Sequence, residues 1–257
     1  MTLPAKFVER VLRDLGGTEG AALCAALDAE PPVSVRLNPA KTGADTLPAG
    51  PDAGLPVPEA AGLPALAIAG RVPWSRDGRY LAVRPSFTLD PDFHAGAYYV
   101  QEASSQFVGH LLAAVRTEGA RILDLCAAPG GKSIHLGDKM EGFGTVDARD
   151  VSQYKVELIN ENIHRTGAIN VQAHVQDATV FDVESECKAD IVLADVPCSG
   201  YGVIGKKPEI KYRSTVQKEE ELVILQRNIL DKAAEYVKPR GVLIFSTCTA
   251  VSYTHLR

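Results

Sequence analysis

Two of the five cysteines, Cys198 and Cys248, each follow a short apolar run typical of a buried strand. The cysteines are odd in number and irregular in spacing, and no CxxC pair exists, which argues against a disulfide framework or a zinc site. A single cysteine more often acts as a small buried hydrophobic residue than as a nucleophile. Two cysteines at successive strand ends instead predict thiols that face one crevice.

A loop of small residues, DLCAAPGGK at 124–132, joins one predicted strand to the next helix. Small residues let a ligand approach the backbone closely at the carboxyl end of a sheet. The loop has neither the GxGxxG spacing of a dinucleotide cradle nor the GxxxxGK[ST] spacing of a phosphate-binding loop. We therefore expect a ligand that lacks a pyrophosphate.

Three aspartates, Asp150, Asp177 and Asp195, come one after each of the following predicted strands. Such an acid can accept hydrogen bonds from ribose hydroxyls, although a single one is as often only a helix cap or a turn residue. Three in succession predict a nucleoside ligand. S-adenosylmethionine, with its ribose, adenine and charged amino-acid tail, fits this pattern as a methyl donor.

A thiol beside a methyl donor indicates a specific chemistry. Carbon 5 of cytosine is a poor nucleophile, but addition of a thiolate to carbon 6 gives an enamine-like ring whose carbon 5 accepts a methyl group. Asp195 is placed to stabilise this adduct near N3 or N4, and a second thiol can assist the release step. Strand topology alone leaves Cys198 and Cys248 interchangeable in these two roles.

The elements that position these residues alternate between strand and helix from residue 121 onward, which predicts a parallel sheet covered by helices. The predicted strands are 121–125, 143–150, 169–175, 190–194 and 241–246. The predicted helices are 101–115, 152–165 and 218–237, the second capped by Ser152 and closed by Gly167. We expect residues 96–249 to form this α/β catalytic domain.

Residues 1–95 have a different pattern and predict a small α+β domain. Two short helices are expected within residues 1–30, followed by a strand at 33–37. A Pro-, Gly- and Ala-rich loop spans 43–70, and short strands are expected within 71–89. The side chains predicted to share one face of the first helix are Val8, Val11, Leu12 and Leu15.

The composition, 46 % hydrophobic and 23 % charged, is typical of a globular protein. No apolar run approaches the ~20 residues of a membrane span, and the N-terminus lacks the apolar core of a signal peptide. We therefore expect a cytoplasmic monomer without membrane contact. The net charge of −5 means that any contact with nucleic acid must use a local basic patch. The densest candidate consists of Lys206, Lys207, Lys211 and Arg213.

Three motifs, DLCAAPGGK (124–132), DVPCSGYGVI (195–204) and STC (246–248), resemble those of the Nol–Nop–Sun family of S-adenosylmethionine-dependent RNA (cytosine-5)-methyltransferases. SVRLNP (34–39) and YYVQEASSQ (98–106) also look like the family. The resemblance implies a Rossmann-like class I methyltransferase domain that follows a small RNA-binding α+β domain.

The stretch RPSFTLDPDFHAGAYYVQE (84–102) is most similar to bacterial enzymes acting on small-subunit ribosomal RNA, so the resemblance implies ribosomal RNA rather than tRNA as partner. It also implies that Cys248 is the nucleophile, that Cys198 promotes release, and that Asp195 contacts both the cofactor side and the target base. Asp150 would bind the ribose and Asp177 would lie near the adenine, with no metal. The residues implied to line the cofactor are Cys126, Ala127, Ala128, Pro129, Gly130, Gly131 and Lys132.

The resemblance ends at about residue 249, and the tail 250–257 does not look like the family. We therefore expect the last two strands of a methyltransferase sheet to be missing and the activity of this chain to suffer. Two other functions are compatible with the fold: an amino-group methyltransferase, whose motif would read acidic-Pro-Pro-aromatic rather than DVPC, and a non-catalytic RNA-binding factor. Release of tritium from 5-tritiated cytidine in RNA would distinguish the three.

Overall fold

A computed structural model describes residues 3–42, 66–113, 115, 117–207, 209–210 and 216–249. The strands are β1 (Val33–Leu37), β2 (Ile68–Arg71), β3 (Gly78–Leu81), β4 (Tyr98–Val100), β5 (Arg121–Asp124), β6 (Thr145–Asp150), β7 (Val171–Val175), β8 (Ala189–Asp195) and β9 (Val237–Ser246). The helices are α1 (Ala5–Leu15), α2 (Gly17–Asp28), α3 (Pro39–Thr42), α4 (Pro91–His94), α5 (Ala103–Leu112), α6 (Gly131–Lys139), α7 (Gln153–Thr166) and α8 (Val216–Tyr236). The predicted tail at 250–257 lies outside the described residues.

The strands that follow residue 120 form a parallel sheet in the order β7-β6-β5-β8-β9. β5 is the central strand and β8 lies beside it; Ile122, Ile191 and Leu193 are buried on one face of these strands, and Leu123 and Val192 on the other. Near-continuous apolar strands of this kind are expected where helices cover both faces of a parallel sheet. The predicted Rossmann-like α/β fold is therefore confirmed.

Most element ends lie within three residues of the predicted ones, and the start of β9 differs most. β9 begins at Val237 rather than 241, because the strand contains a bulge: Ala189 pairs with Val237, and pairing resumes between Ile191 and Val242. α7 ends at the predicted Gly167, which has φ 75°, but the side chain of Ser152 makes no capping hydrogen bond, so that part of the prediction was wrong.

The N-terminal strands form an antiparallel sheet in the order β2-β3-β1-β4. Of the loop predicted at 43–70, residues 43–65 lie outside the described residues and Ile68 already belongs to β2. The sheet extends to Val100 in β4, which pairs with Val35. The domain division at residue 95 stays a prediction.

Helix α1 packs against the loop after β8, and of the four side chains predicted to share one face only Val11 is buried. Phe7 and Val11 are buried, whereas Leu12 and Leu15 are 37 % and 43 % exposed. The ring of Phe7 lies 5.0 Å from that of Tyr201, centroid to centroid, in the loop after β8. Glu219 of α8 joins the same contact, since it accepts hydrogen bonds from Tyr201 Oη at 3.1 Å and from Arg10 at 2.7 Å. The prediction for the two leucines failed because this partner surface is distant in sequence.

Within the part of the chain that the structure describes, we find no helix with the length and apolar character needed to cross a membrane.

Candidate active site

The loop between β5 and α6 approaches the N-terminal sheet so closely that it requires glycine. Gly130 adopts a left-handed conformation with φ 99° at the start of α6. A Cβ atom on Gly131 would lie 2.9 Å from Cε1 of Tyr99, closer than real Cβ contacts allow. The ring of Tyr99 therefore lies directly on the backbone of this loop, at the wall of a space that both residues line.

That space is a cavity of about 160 Å³ at the carboxyl ends of β5 and β8. Its walls include these predicted residues: Cys126, Ala127, Ala128, Pro129, Gly131, Lys132 and Asp195. Tyr99, Gln101 and Asp124 also line it and were not among the predicted site residues. Gly130, Asp150, Asp177, Cys198 and Cys248 do not line it.

Asp124 is the most buried carboxylate of this cavity, with 1 % of its surface exposed. One oxygen, Oδ2, accepts a hydrogen bond of 2.6 Å from Ser133 Oγ, whereas Oδ1 has no hydrogen-bond partner among the described residues. Burial raises the pKa of this carboxyl to about 7, although the bond from Ser133 opposes the shift. An unpaired, buried carboxylate oxygen is a strong acceptor for a cationic ligand group.

Asp150 lies behind the loop and holds it in place. Its Oδ2 accepts the backbone N–H of Ala128 at 3.0 Å, and its Oδ1 accepts that of Val151 at 2.8 Å. Lys155 forms an ion pair with Oδ1 at 2.9 Å. The carboxylate therefore fixes the backbone that lines the cavity.

Asp177 is exposed and is engaged locally by Thr179, whose N–H and hydroxyl both donate to Oδ1. These hydrogen bonds lower the pKa of Asp177. Its predicted position near an adenine stays a prediction, and the structure gives it no contact with the cavity.

Asp195 is held on both oxygens at the end of β8. Lys132 donates to Oδ2 at 2.6 Å, and the hydroxyl of Ser246 donates to Oδ1 at 2.6 Å. Ser246 ends β9, the strand next to β8, so the parallel register brings it opposite Asp195. The ion pair therefore places the ammonium of Lys132 directly beside the Asp195 carboxylate.

The two thiols are in direct contact, with Sγ of Cys198 and Sγ of Cys248 2.7 Å apart. The backbone N–H of Cys248 also donates to Cys198 Sγ at 3.2 Å. The loop that carries Cys198 is fixed by Gln226 of α8, whose amide donates to Pro197 O at 2.7 Å. The prediction that both thiols face one crevice agrees with this geometry, because neighbouring parallel strands end at the same edge.

The contact between the thiols makes them unequal. It lowers the pKa of Cys198 to about 7, with help from the backbone N–H groups of Gly200 and Cys248, and it raises the pKa of Cys248. The pair therefore loses its first proton near neutral pH and keeps the second strongly. Cys126 differs from both, since burial and the adjacent carboxylates raise its pKa to about 12 and keep it a neutral thiol.

The basic patch predicted after β8 is only partly described. Lys206 forms an ion pair with Glu102 at 2.6 Å, and Lys207 is exposed. Lys211 and Arg213 lie outside the described residues. In the described part of the chain, no group of three or more His, Cys, Asp or Glu side chains is arranged to hold a metal ion.

Tyr99, Gln101 and Ser246 were missed for two reasons. Tyr99 and Gln101 belong to the segment at and just after β4, so only the contact between the two sheets brings them to the cavity; Gln101 donates to Gly131 O at 3.3 Å. Ser246 is the first residue of the STC motif, two residues before Cys248, and a signal was present there because a serine at a strand end opposite an aspartate can orient its carboxylate.

Comparison with known proteins gave two family matches. The model of the "16S rRNA methyltransferase RsmB/F" family matches residues 111–253, and that of the "N-terminal domain of 16S rRNA methyltransferase RsmF" matches residues 3–103. The chain is 39 % identical to the "Probable ribosomal RNA small subunit methyltransferase B" of Bacillus subtilis, over 61 % of this chain and 35 % of the relative. It is 32 % identical to the "Ribosomal RNA small subunit methyltransferase F" of Escherichia coli (strain HS), over 69 % of this chain and 38 % of the relative. The matches thus span little more than a third of each relative.

Two solved structures from Pyrococcus horikoshii have a similar fold. A "Methyltransferase Homolog Protein" superimposes with a TM-score of 0.76 at 27 % identity, over 97 % of this chain and 74 % of the other. A structure described as NSun6 with SFG superimposes with a TM-score of 0.70 at 20 % identity, over 98 % of this chain and 84 % of the other. Both similarities include the N-terminal sheet as well as the parallel sheet.

Proposed function

Since the chain belongs to the 16S rRNA methyltransferase RsmB/F family, whose methyl donor is S-adenosylmethionine, we propose that it methylates carbon 5 of a cytosine in RNA through a covalent cysteine adduct. One observation carries the proposal: two contacting thiols lie beside a carboxylate–lysine pair at adjacent strand ends. Ribosomal RNA is the proposed partner, which places the reaction in the cytoplasm. The monomeric state stays a prediction.

The residues around the cavity fit the donor. Asp124 offers an unpaired buried oxygen to the cationic amine of its amino-acid tail, and the glycine loop offers a backbone that a ligand can approach. Asp150 holds that loop and is the proposed ribose-binding residue. When bound, S-adenosylmethionine supplies an electrophilic methyl group. The neutral Cys126 lines the cavity without competing for that group as a nucleophile.

The thiol pair then provides the covalent step. Addition of the Cys248 sulfur to carbon 6 forms a C–S bond and leaves an electron pair on carbon 5. Since the pair holds one proton near neutral pH, Cys248 must give that proton to Cys198, 2.7 Å away, as it attacks. Asp195 accepts a hydrogen bond from the exocyclic amine, and Lys132 donates toward N3 or O2 of the adduct.

Release reverses the addition. After methylation, the proton on carbon 5 is removed, its bonding electrons restore the ring double bond, and the C6–S bond breaks so that the Cys248 thiolate leaves. Cys198 is the proposed assistant in this step, once it has returned its own proton to water. The methyl group therefore ends on carbon 5, and one proton is released for each methyl group transferred.

The roles of the two thiols are supported unequally. The assignment of Cys248 as nucleophile comes from the resemblance of STC (246–248), whereas the lower pKa belongs to Cys198. A thiolate on Cys198 in the free protein is compatible with its use as a base toward Cys248. It is equally what a direct attack by Cys198 would require, so the reversed assignment is the alternative to test.

Tritium release tests the proposed reaction. The purified protein, given S-adenosylmethionine and RNA containing 5-tritiated cytidine, should release tritium into water in proportion to the methyl groups transferred. Only loss of the hydrogen on carbon 5 does this. Methyl transfer without tritium release would identify an amino-group methyltransferase, and RNA binding without either would identify a non-catalytic factor.

Donor binding should depend on pH through Asp124. Because the pKa of Asp124 is raised to about 7, the free protein carries a proton below that pH which a cationic ligand must displace. Affinity for S-adenosylmethionine should therefore fall as the pH is lowered from about 7 to 6, by up to about tenfold per pH unit, and level off above 7. Calorimetric titration in buffers of different ionisation enthalpy would also detect the displaced proton.

Two variants distinguish the pH effect of Asp124 from a general loss of affinity for the donor. Asp124→Asn should weaken binding and remove the pH dependence in this range. Asp150→Ala should weaken binding by about 1–3 kcal/mol and leave the pH dependence set by Asp124 in place, because it removes the acceptor that fixes the backbone N–H of Ala128. Retention of the pH dependence in Asp124→Asn would show that Asp124 does not bind the donor. Unchanged affinity in Asp150→Ala would show that Asp150 does not contribute to donor binding.

A further inference from the structure

A second cavity, of about 300 Å³, is lined in part by the loop that carries Cys198. Its walls come from the N-terminal part of the chain and from the loop after β8. They include Trp74 and Tyr80 from the β2–β3 hairpin, Pro31 and Pro32 after α2, and Gly202 and Lys206 from the loop after β8. Ligand cavities commonly occur where two domains meet and combine apolar walls with a few polar groups. The proposed reaction does not use this cavity.

A backbone hydrogen bond joins a wall of this cavity to Cys248. The N–H of Gly202 donates to the carbonyl oxygen of Cys248 at 2.9 Å. Gly202 and Cys198 lie on the same short segment after β8, and Glu102 lines both this cavity and the first one. A polymer bound with one unit at the thiols would therefore pass close to this cavity with an adjacent unit.

The aromatic walls are held in fixed orientations. The indole N–H of Trp74 donates to Ala103 O at 2.7 Å, and the ring of Phe107 meets it edge-on at a centroid distance of 6.0 Å. Tyr80 is half-buried beside it. Rings that are already ordered make good stacking platforms for nucleobases, because little rotational freedom remains to be lost on binding.

A lysine–glutamate ion pair lines the same cavity. Lys206 pairs with Glu102 at 2.6 Å, and both side chains are about one-third exposed, at 32 % and 30 %. An ion pair this accessible contributes little stability, so a phosphate can replace the carboxylate as the partner of Lys206. The next residue, Lys207, is exposed and does not line the cavity, which makes it a matched control.

We propose that this cavity binds a nucleotide adjacent to the target cytosine, with its base against Trp74 and Tyr80 and its phosphate on Lys206. The proposal rests on the proposed function for the identity of the RNA. It assigns part of the RNA specificity to the hairpin of the N-terminal sheet rather than to the catalytic motifs.

Trp74 is the only tryptophan of the chain, so its fluorescence reports directly on this cavity. A nine-nucleotide RNA with one central cytosine should quench it. An abasic nucleotide at one position next to the cytosine should remove most of the quenching and raise the Kd roughly five- to a hundred-fold, the range for one stacked base. An abasic nucleotide three positions away should change neither quantity.

The lysine variants test the phosphate contact without altering the aromatic walls. Lys206→Ala should weaken RNA binding several-fold and reduce the salt dependence by about one phosphate contact, whereas Lys207→Ala should do neither. Equal effects of the two variants would overturn the assignment of Lys206. Absence of quenching by the oligomer, and by each of the four ribonucleoside monophosphates at millimolar concentration, would overturn the cavity proposal.

Tritium release from the same oligomer separates this proposal from the reaction itself. Release without quenching would reject the cavity and leave the reaction standing. Quenching with the expected abasic pattern, but without release, would retain the cavity as a nucleotide site and reject the reaction.

Discussion

Replacing Cys198 with alanine should leave methylated RNA covalently attached to the protein, in a complex that survives denaturing electrophoresis. If Cys248 adds to carbon 6, the Cys198→Ala variant can still attack once Cys248 has lost its proton to water, but it lacks the thiol that assists elimination. Cys248→Ala and the double variant should form no adduct and show no turnover. Cys187→Ala, which alters an exposed cysteine outside the site, should behave as the unmodified protein does.

The contact between the thiols adds a pH dependence to this experiment. In Cys198→Ala, Cys248 loses the hydrogen bond that raises its pKa, so that pKa should return toward the ordinary cysteine value of about 8.5. The adduct should then accumulate faster as the pH approaches that value. Both the rate and the amount can be followed with labelled RNA on a denaturing gel.

The reverse pattern has a clear meaning. An adduct formed by Cys248→Ala but not by Cys198→Ala would make Cys198 the nucleophile, in agreement with its lower pKa. Turnover by both single variants, with no adduct in either, would reject covalent catalysis by these thiols.

Asp195→Asn should lower the rate of methyl transfer by about a hundred- to ten-thousand-fold, the range for loss of a positioned acid–base group. The asparagine amide can still accept one hydrogen bond. It has no negative charge to attract the ammonium of Lys132, and it is a weaker acceptor for the exocyclic amine of cytosine than a carboxylate is. Ser246→Ala should cost only about two- to tenfold, because it removes a single neutral donor from the same carboxylate.

The measurement should separate chemistry from binding. Single-turnover tritium release gives the rate, and calorimetric titration gives the affinity for the donor, which should change less than the rate. Asp190→Asn is a matched control, since Asp190 lies at the opposite end of the same strand, where it pairs with Lys238. A loss in Asp190→Asn equal to that in Asp195→Asn would indicate damage to the strand rather than to catalysis.

The sequence was sufficient to predict the parallel sheet and the carboxyl ends of its strands, because alternating apolar runs and helices leave a local pattern. Asp195, Cys198 and Cys248 could be placed at one edge for the same reason. The unequal pKa values of the two thiols could not be predicted, since they depend on an Sγ–Sγ distance set by two loops.

The contributions from the N-terminal sheet were missed on physical grounds. Tyr99 reaches the glycine loop and Trp74 reaches the second cavity only because two sheets pack together. No periodicity in either segment encodes that packing. The buried face of α1 was misassigned for the same reason: Phe7 has its partner in Tyr201, on a loop nearly two hundred residues later.

The contact of Phe7 with Tyr201, together with the bridge from Arg10 through Glu219 to the same tyrosine, limits how modular this protein can be. The first helix contacts the loop that carries Cys198, so we expect that the N-terminal region cannot be exchanged on its own. In a chimera that took residues 1–95 from a relative, the relative's α1 would have to pack against this chain's own loop after β8. In evolution, α1 and the loop after β8 should therefore vary together, and transplantation should succeed only when both are moved.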